Sequence, residues 1–332
     1  MRRQATTIMA VSNGKFMIKA DFRNDWREFL QGDMPVFGLQ YDRAETLEEN
    51  TIGYLNAKRR IVPRRKRTVH ESKEVRIQIL SKYWAEYSSL KKLISEGGDL
   101  IPYLSHDIRK KRADKNDGIL NTWGLHHLHF LPNGTLDVLL VRITETDVFV
   151  IKMLPHGSET WVDTSLLRIL HENWPDATVG KVVGIQGEPL TPTQRINLRR
   201  KNVNFATTMP DGTVYLAPGG GVSGSGRCSL DVTLSDWIFQ NLAYWQRVVE
   251  ENETNLRSAL NVSCGEELRI RMKFDNGEWR LYEVNGNREI RLIIKSQQPT
   301  DARAKSDIAG ECLDSAIQRA LDDEKNDRVR PL

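Results

Sequence analysis

Cysteine is scarce in this chain. Its 332 residues include three, Cys228, Cys264 and Cys312, widely spaced and without a Cys-x-x-Cys pair. That excludes a disulfide framework and a cysteine-ligated zinc site. Long apolar runs are missing too. No stretch approaches the roughly 18 consecutive apolar residues of a membrane span, and the opening MRRQATTIMAV has no long apolar core of a secretory signal. The expectation is a cytoplasmic chain with no membrane partner. Charge of one sign is also in short supply, since 48 Lys+Arg against 44 Asp+Glu leave a net of +4. Three catalytic signatures are absent as well. There is no His-Glu-x-x-His helix. The glycine-rich stretch 217–226, APGGGVSGSG, lacks the Gly-Lys-Ser/Thr ending of a P-loop. Val150-Ile151-Lys152 lacks the acidic residue two places before the lysine that a paired-carboxylate nuclease needs. The glycine-rich stretch is therefore expected to be a mobile loop, and no cofactor is expected.

What is present is unevenly placed. Residues 58–67, KRRIVPRRKR, carry seven cations in ten positions, and RKKR follows at 109–112. Such density attracts polyanions, because each phosphate neutralised releases condensed counterions. Arg59, Arg60, Arg64, Arg65, Lys66 and Arg67 are thus candidate nucleic-acid contacts, with a solvated loop as the plainer alternative. Residues 123–174 hold five of the seven histidines, in apolar runs broken by the turn signals Pro132-Asn133-Gly134 and 144–147. Those runs read as two or three short strands, followed by a helix capped by Thr164 and ended by Trp174-Pro175.

Elsewhere the pattern predicts a hairpin around Ser12-Asn13-Gly14, a short helix over 24–31 and no clear period over 35–60. Residues 72–79 fit either a strand or a helix start. A helix from Ser81 stops at Gly97-Gly98. Beyond Pro175, a strand is expected over 179–186, a basic helix over 191–203 and a hairpin at Asp211-Gly212. A long helix over 234–260 precedes a hairpin turning at Asp275-Asn276-Gly277, and an amphipathic helix starts at Ser306.

On a strand, side chains alternate, so His127 and His129 share one face and His126 takes the other. Imidazoles suit acid–base work because they titrate near neutrality. Cutting RNA without a metal needs a base for the 2′-hydroxyl, an acid for the 5′-oxygen and a cation for the phosphate. His129 and His156 fit the first two roles in either order, with His127 orienting one of them and Arg142 or Lys152 as the cation. His-x-His on a strand also presents two metal ligands, with His156, Asp137 or Glu159 as a third. A third alternative is a non-catalytic protein that binds nucleic acid or protein while the histidines pack.

The order LKKLISEGGDLIPYL, GLHHLHF, DVLLVRI and VFVIKMLPHG, over about 80–174, resembles the RelE/HigB family of small ribonuclease toxins. Gly124 and Leu125 match the opening of that family's Gly-Leu-x-Glu-Leu-Arg strand. His127 stands at its Glu position and His129 at its Arg, Arg142 falls on the second strand, and His156 closes the third. The histidine replacements are compatible with the wider barnase, EndoU and RelE-like group. The resemblance implies an α+β fold with a central antiparallel sheet packed with helices. It also implies metal-independent RNA cleavage leaving a cyclic phosphate, action on RNA or the ribosome, and a neutralising antitoxin. The expected partition is a β-rich N-terminal part with the basic segment (1–78), the RelE-like domain (79–178), a C-terminal α+β domain (179–305) and a helix with a charged tail (306–332).

Overall fold

The computed structural model describes residues 18–105, 116–132, 134–157, 160–185, 189–275 and 278–290. The hairpin at Ser12-Asn13-Gly14, the 109–112 cluster and the helix from Ser306 lie outside the described residues, as do Asn133, Glu159, Asn276 and Gly277.

The chain starts with β1 (Lys19–Ala20), α1 (Phe22–Asp33), α2 (Leu47–Arg60), β2 (Thr68–Glu71), α3 (Lys73–Lys82) and α4 (Trp84–Glu96). A short helix α5 (Gly118–Trp123) leads into β3 (His126–His129), β4 (Asp137–Ile143), β5 (Asp147–Pro155) and α6 (Ser165–Asn173). Next come β6 (Lys181–Val182), α7 (Pro192–Arg200), β7 (Ala206–Thr208) and β8 (Val214–Leu216). The long α8 (Ser229–Glu251), α9 (Glu253–Leu260), β9 (Arg269–Asp275), β10 (Glu278–Glu283) and β11 (Arg288–Ile290) follow.

The fold is α+β, with sheets of mostly antiparallel strands. The central sheet has the order β2-β5-β4-β3. Its β3–β4 and β4–β5 ladders are antiparallel, but β2 joins β5 in parallel, a mixed arrangement rather than the all-antiparallel one expected. Each face buries a separate core. On one, Leu128, Leu139, Val141, Val148 and Val150 meet Val75 and Ile79 of α3 and Tyr87, Leu90 and Ile94 of α4. On the other, Leu125, Val138, Leu140 and Ile151 meet Ile119 and Trp123 of α5 and the Leu166/Leu167/Leu170 stripe of α6.

The linear partition gives way to a different grouping. The 1–78 segment is not β-rich where it is described, because α1 and α2 fill most of it. These helices share a core with α8, α9, β9 and β10 through Phe22, Trp26, Leu30 and Tyr54 against Leu242, Val249, Ile270 and Met272. Lys19 and Ala20 pair in parallel with Arg269 and Ile270, so the two ends of the described chain build one unit. The expected C-terminal domain is split accordingly: Met209 and Tyr215, on the small β6-β8-β7 sheet segment, pack into the histidine-strand side of the central core. The central sheet itself takes β2 from the N-terminal side of residue 79. Short apolar patches on α1 and β9 cannot each close a core alone, and pairing them removes more apolar surface from water.

Candidate functional site

Asp117 begins the site. Its Oδ1 accepts from the N–H groups of Ile119 and Leu120, at 3.0 and 3.1 Å, and so caps α5. Gly124 takes the left-handed conformation (φ 67°) that ends this helix, and β3 starts two residues later. The tight helix–strand corner turns Asp117 back onto β3, where its Oδ2 lies 3.5 Å from Nδ1 of His127.

Strand alternation does the rest. His127 and His129 sit opposite Leu140 and Val138 of β4, on the face that carries α5. The reversal after β3 passes Gly134 at φ 92° and aims the Thr135 N–H at Nδ1 of His129, 3.0 Å away. His156 follows β5 and extends the ladder by donating its backbone N–H to Leu136 O at 2.8 Å. The three rings converge: centroid distances are 6.1 Å for His127–His129, 5.6 Å for His127–His156 and 5.9 Å for His129–His156. One nitrogen from each lies within 4.8 Å of the others.

The three differ in environment. His156 is exposed, whereas His129 is buried and the His127 side chain is 10 % exposed. Burial holds the His127 pKa below the usual histidine value. Asp117 opposes that shift, while His156 and the Arg60 guanidinium add to it. Both ring nitrogens of His127 are buried without a hydrogen bond among the described residues. Such groups are rare in folded proteins. His129 is in another state. Its Nδ1 accepts a backbone N–H, so the neutral ring carries its proton on Nε2, and a second proton on Nδ1 would face the Thr135 donor.

Other expected site residues fall elsewhere. Arg142 lies four residues from Val138 along β4, roughly 13 Å from the His129 register, and lines a separate cavity. Lys152 is held by Asp163 at 3.2 Å and Ser165 at 2.9 Å. Asp137 is paired with Lys82. The basic run is largely built into the fold. Arg59 pairs with Asp231 at 3.1 Å and donates to Asn121 Oδ1 at 2.5 Å. Arg60 is buried, and the buried Arg67 donates to the Thr144 and Pro63 carbonyls at 2.8 and 2.9 Å. Arg65 meets Glu145 at 3.4 Å and the exposed Arg64 meets Asp99 at 2.7 Å, while Lys66 is exposed. Among the described residues these candidates form no continuous cationic surface, since Arg59, Arg60 and Arg67 turn inward.

The glycine-rich stretch is not a phosphate cradle. The Gly219 and Gly221 amides donate to Thr122 O and Asn121 O at 3.3 and 2.8 Å, and Gly220 donates to Ala217 O at 2.7 Å. The loop is stitched against α5 instead.

No protein-family model, curated protein or solved structure matches this chain. The site must therefore be read from its own chemistry. Sequence reasoning passed over two of its members. Asp117 carried a visible cap signal, an Asp before the apolar stretch GILNTW, but its pairing with His127 depends on the corner at Gly124. Thr135 acts through its backbone, which no side-chain pattern records.

Proposed function

We propose that this protein is an endoribonuclease of the toxin or phage-defence type that cuts RNA without a metal, using His127, His129 and His156. The observation that carries this reading is the buried His127 ring, which has no hydrogen bond at either nitrogen, a carboxylate behind Nδ1 and two further imidazoles in front. With Nδ1–H directed at Asp117, Nε2 bears the lone pair, and a lowered pKa keeps it neutral and ready to accept a proton. His127 Nε2 takes the 2′-hydroxyl proton, O2′ bonds to the adjacent phosphorus, and the P–O5′ bond breaks. The exposed His156, which can exchange protons with water, delivers one to O5′. The products are a 2′,3′-cyclic phosphate and a 5′-hydroxyl. His129 stays neutral and donates Nε2–H to a phosphoryl oxygen, as its contact with Thr135 favours. These roles differ from the sequence-based expectation, which paired His129 with His156 and made His127 the orienting residue. On this reading the RelE-like resemblance of the central segment extends to its activity, its action on RNA or the ribosome and a neutralising protein partner.

A divalent-metal hydrolase is the second reading. In its favour, one nitrogen from each of the three rings lies within 4.8 Å of the others, and a carboxylate behind a ligating histidine is a common supporting arrangement. Against it, His129 ligating through Nε2 must carry its proton on Nδ1, where the Thr135 N–H already points.

The test uses purified full-length chain on labelled single-stranded RNA and matched DNA, in EDTA and then with added zinc. The proposal expects RNA cleavage in EDTA, none of DNA, and loss with His127→Ala and His156→Ala. Cleavage that appears only with zinc would transfer the site to the second reading.

A further inference from the structure

Leu136 stands beside the histidine cluster with its side chain in water. It comes two residues before Val138, which packs on the histidine face of the sheet, so alternation puts Leu136 on that face as well. The ladder fixes its neighbour. Asp137 pairs with Pro155, and the next step sets Leu136 opposite His156, which donates its backbone N–H to Leu136 O at 2.8 Å. Residues so opposed hold their Cβ atoms about 4.5–5.5 Å apart. The turn that carries Leu136 is pinned from within, since Thr135 Oγ1 accepts the Phe130 N–H at 3.2 Å and donates to Asp137 O at 2.5 Å. It is also anchored on the opposite face. There the Phe130 ring stacks on Tyr83 at 4.3 Å, and Asp137 pairs with Lys82. A single leucine in water is ordinary. This one is 84 % exposed on a braced turn, directly across from the histidine assigned as the acid.

What this leucine meets follows from the ribonuclease reading, on which the inference rests. His156 protonates O5′, so the nucleotide that leaves through O5′ lies against His156 and within reach of the Leu136 side chain. The nucleotide that keeps the 2′-hydroxyl lies toward His127 and α5. We infer that Leu136 binds the base of the leaving nucleotide, and that the substrate is single-stranded RNA continuing at least one nucleotide past the scissile phosphate, running 5′ to 3′ from α5 toward the 131–136 turn. A leucine side chain has no donor or acceptor, so the contact takes the flat face of the base rather than its edge, and a purine covers more of it. Paired RNA keeps its bases stacked on one another and does not offer that face. The contact removes apolar surface from water equally before and during the reaction, so it acts on KM and leaves kcat unchanged.

The test is steady-state cleavage by the full chain, in EDTA, of a 2′-O-methyl oligonucleotide carrying one ribonucleotide, so that a single bond can be cut. The nucleotide on its 3′ side carries adenine or is abasic. With wild type, loss of that adenine should raise KM about fivefold at unchanged kcat. Leu136→Ser should raise KM by a similar factor on the adenine strand and not at all on the abasic one, with the melting temperature kept because the side chain is exposed. Val36→Ser, at an exposed apolar residue between α1 and α2, should change neither. Wild-type cleavage with KM unmoved by Leu136→Ser, or with the two losses simply multiplying, would overturn the inference and leave the ribonuclease reading standing. So would coupling of Leu136 to the base on the 5′ side, which reverses the strand. A strand left uncut by wild type would end the ribonuclease reading and this inference with it.

Discussion

Asp117 holds two duties that substitution can separate. Asparagine caps helices about as well as aspartate, so Asp117→Asn should leave the melting temperature within a few degrees of wild type while removing the charge behind His127. RNA cleavage should fall about tenfold, with the acidic limb of the pH–rate profile moved to lower pH because Asp117 no longer raises the His127 pKa, whereas His127→Ala should cost roughly 10²–10⁴-fold. A large stability loss in Asp117→Asn with unchanged cleavage per folded molecule would reduce Asp117 to a cap. The buried histidines also predict a stability profile. His126, pushed down to about 4 by burial, and His127, also shifted down, are neutral in the fold and take up protons on unfolding. Their contribution is complete above the ordinary histidine value of about 6.5 and is lost as pH falls from there toward the folded values. Each group can contribute up to about 1.4 kcal/mol per pH unit in that window. Urea midpoints measured between pH 7.5 and 4.5 should decline, and the His126→Phe variant should flatten the decline.

Local elements were legible where a periodic apolar stripe or turn signal stood alone. The β3, β4 and β5 runs, the Gly97 stop and the Thr191/Gln194 capping box of α7 all follow from local chemistry. Helix α2 was hidden because it is buried nearly all round, with Asn50, Thr51 and Asn56 among its inward residues, so no one-sided stripe forms. Its Thr46-x-x-Glu49 start was readable, and Thr46 does accept from the Glu49 N–H at 3.1 Å. The glycine-rich loop misled for the opposite reason. Its composition suggests mobility, but a Cβ on Gly219 would stand 1.9 Å from Leu120 O, so glycine there serves close backbone packing. Gly219→Ala should destabilise the protein by about 2–4 kcal/mol through that clash. Chemical denaturation checks it, and a loss near zero would mean the loop does not hold α5.

The joining of the units across the whole molecule could not be read from neighbouring residues. Residues 19–20 pair with 269–270, and Arg59 meets Asp231 across 172 positions. A run of seven cations looks alike whether it faces water or carboxylates elsewhere in the chain. That buried pair links α2 to α8, with Asn121 of α5 as a third member. Breaking it with Asp231→Ala should cost about 3–5 kcal/mol, since Arg59 is left charged and poorly solvated. A loss below about 1 kcal/mol would show the pair to be dispensable. The catalytic account depends on three imidazoles, from two segments of one sheet, acting on a single phosphate. Its most direct test is single-turnover cleavage of RNA in metal-free buffer, with the new ends identified by phosphorus NMR. The account predicts 2′,3′-cyclic phosphate ends that vanish with His127→Ala. Intact RNA, or cleavage at an undiminished rate in that variant, would contradict it.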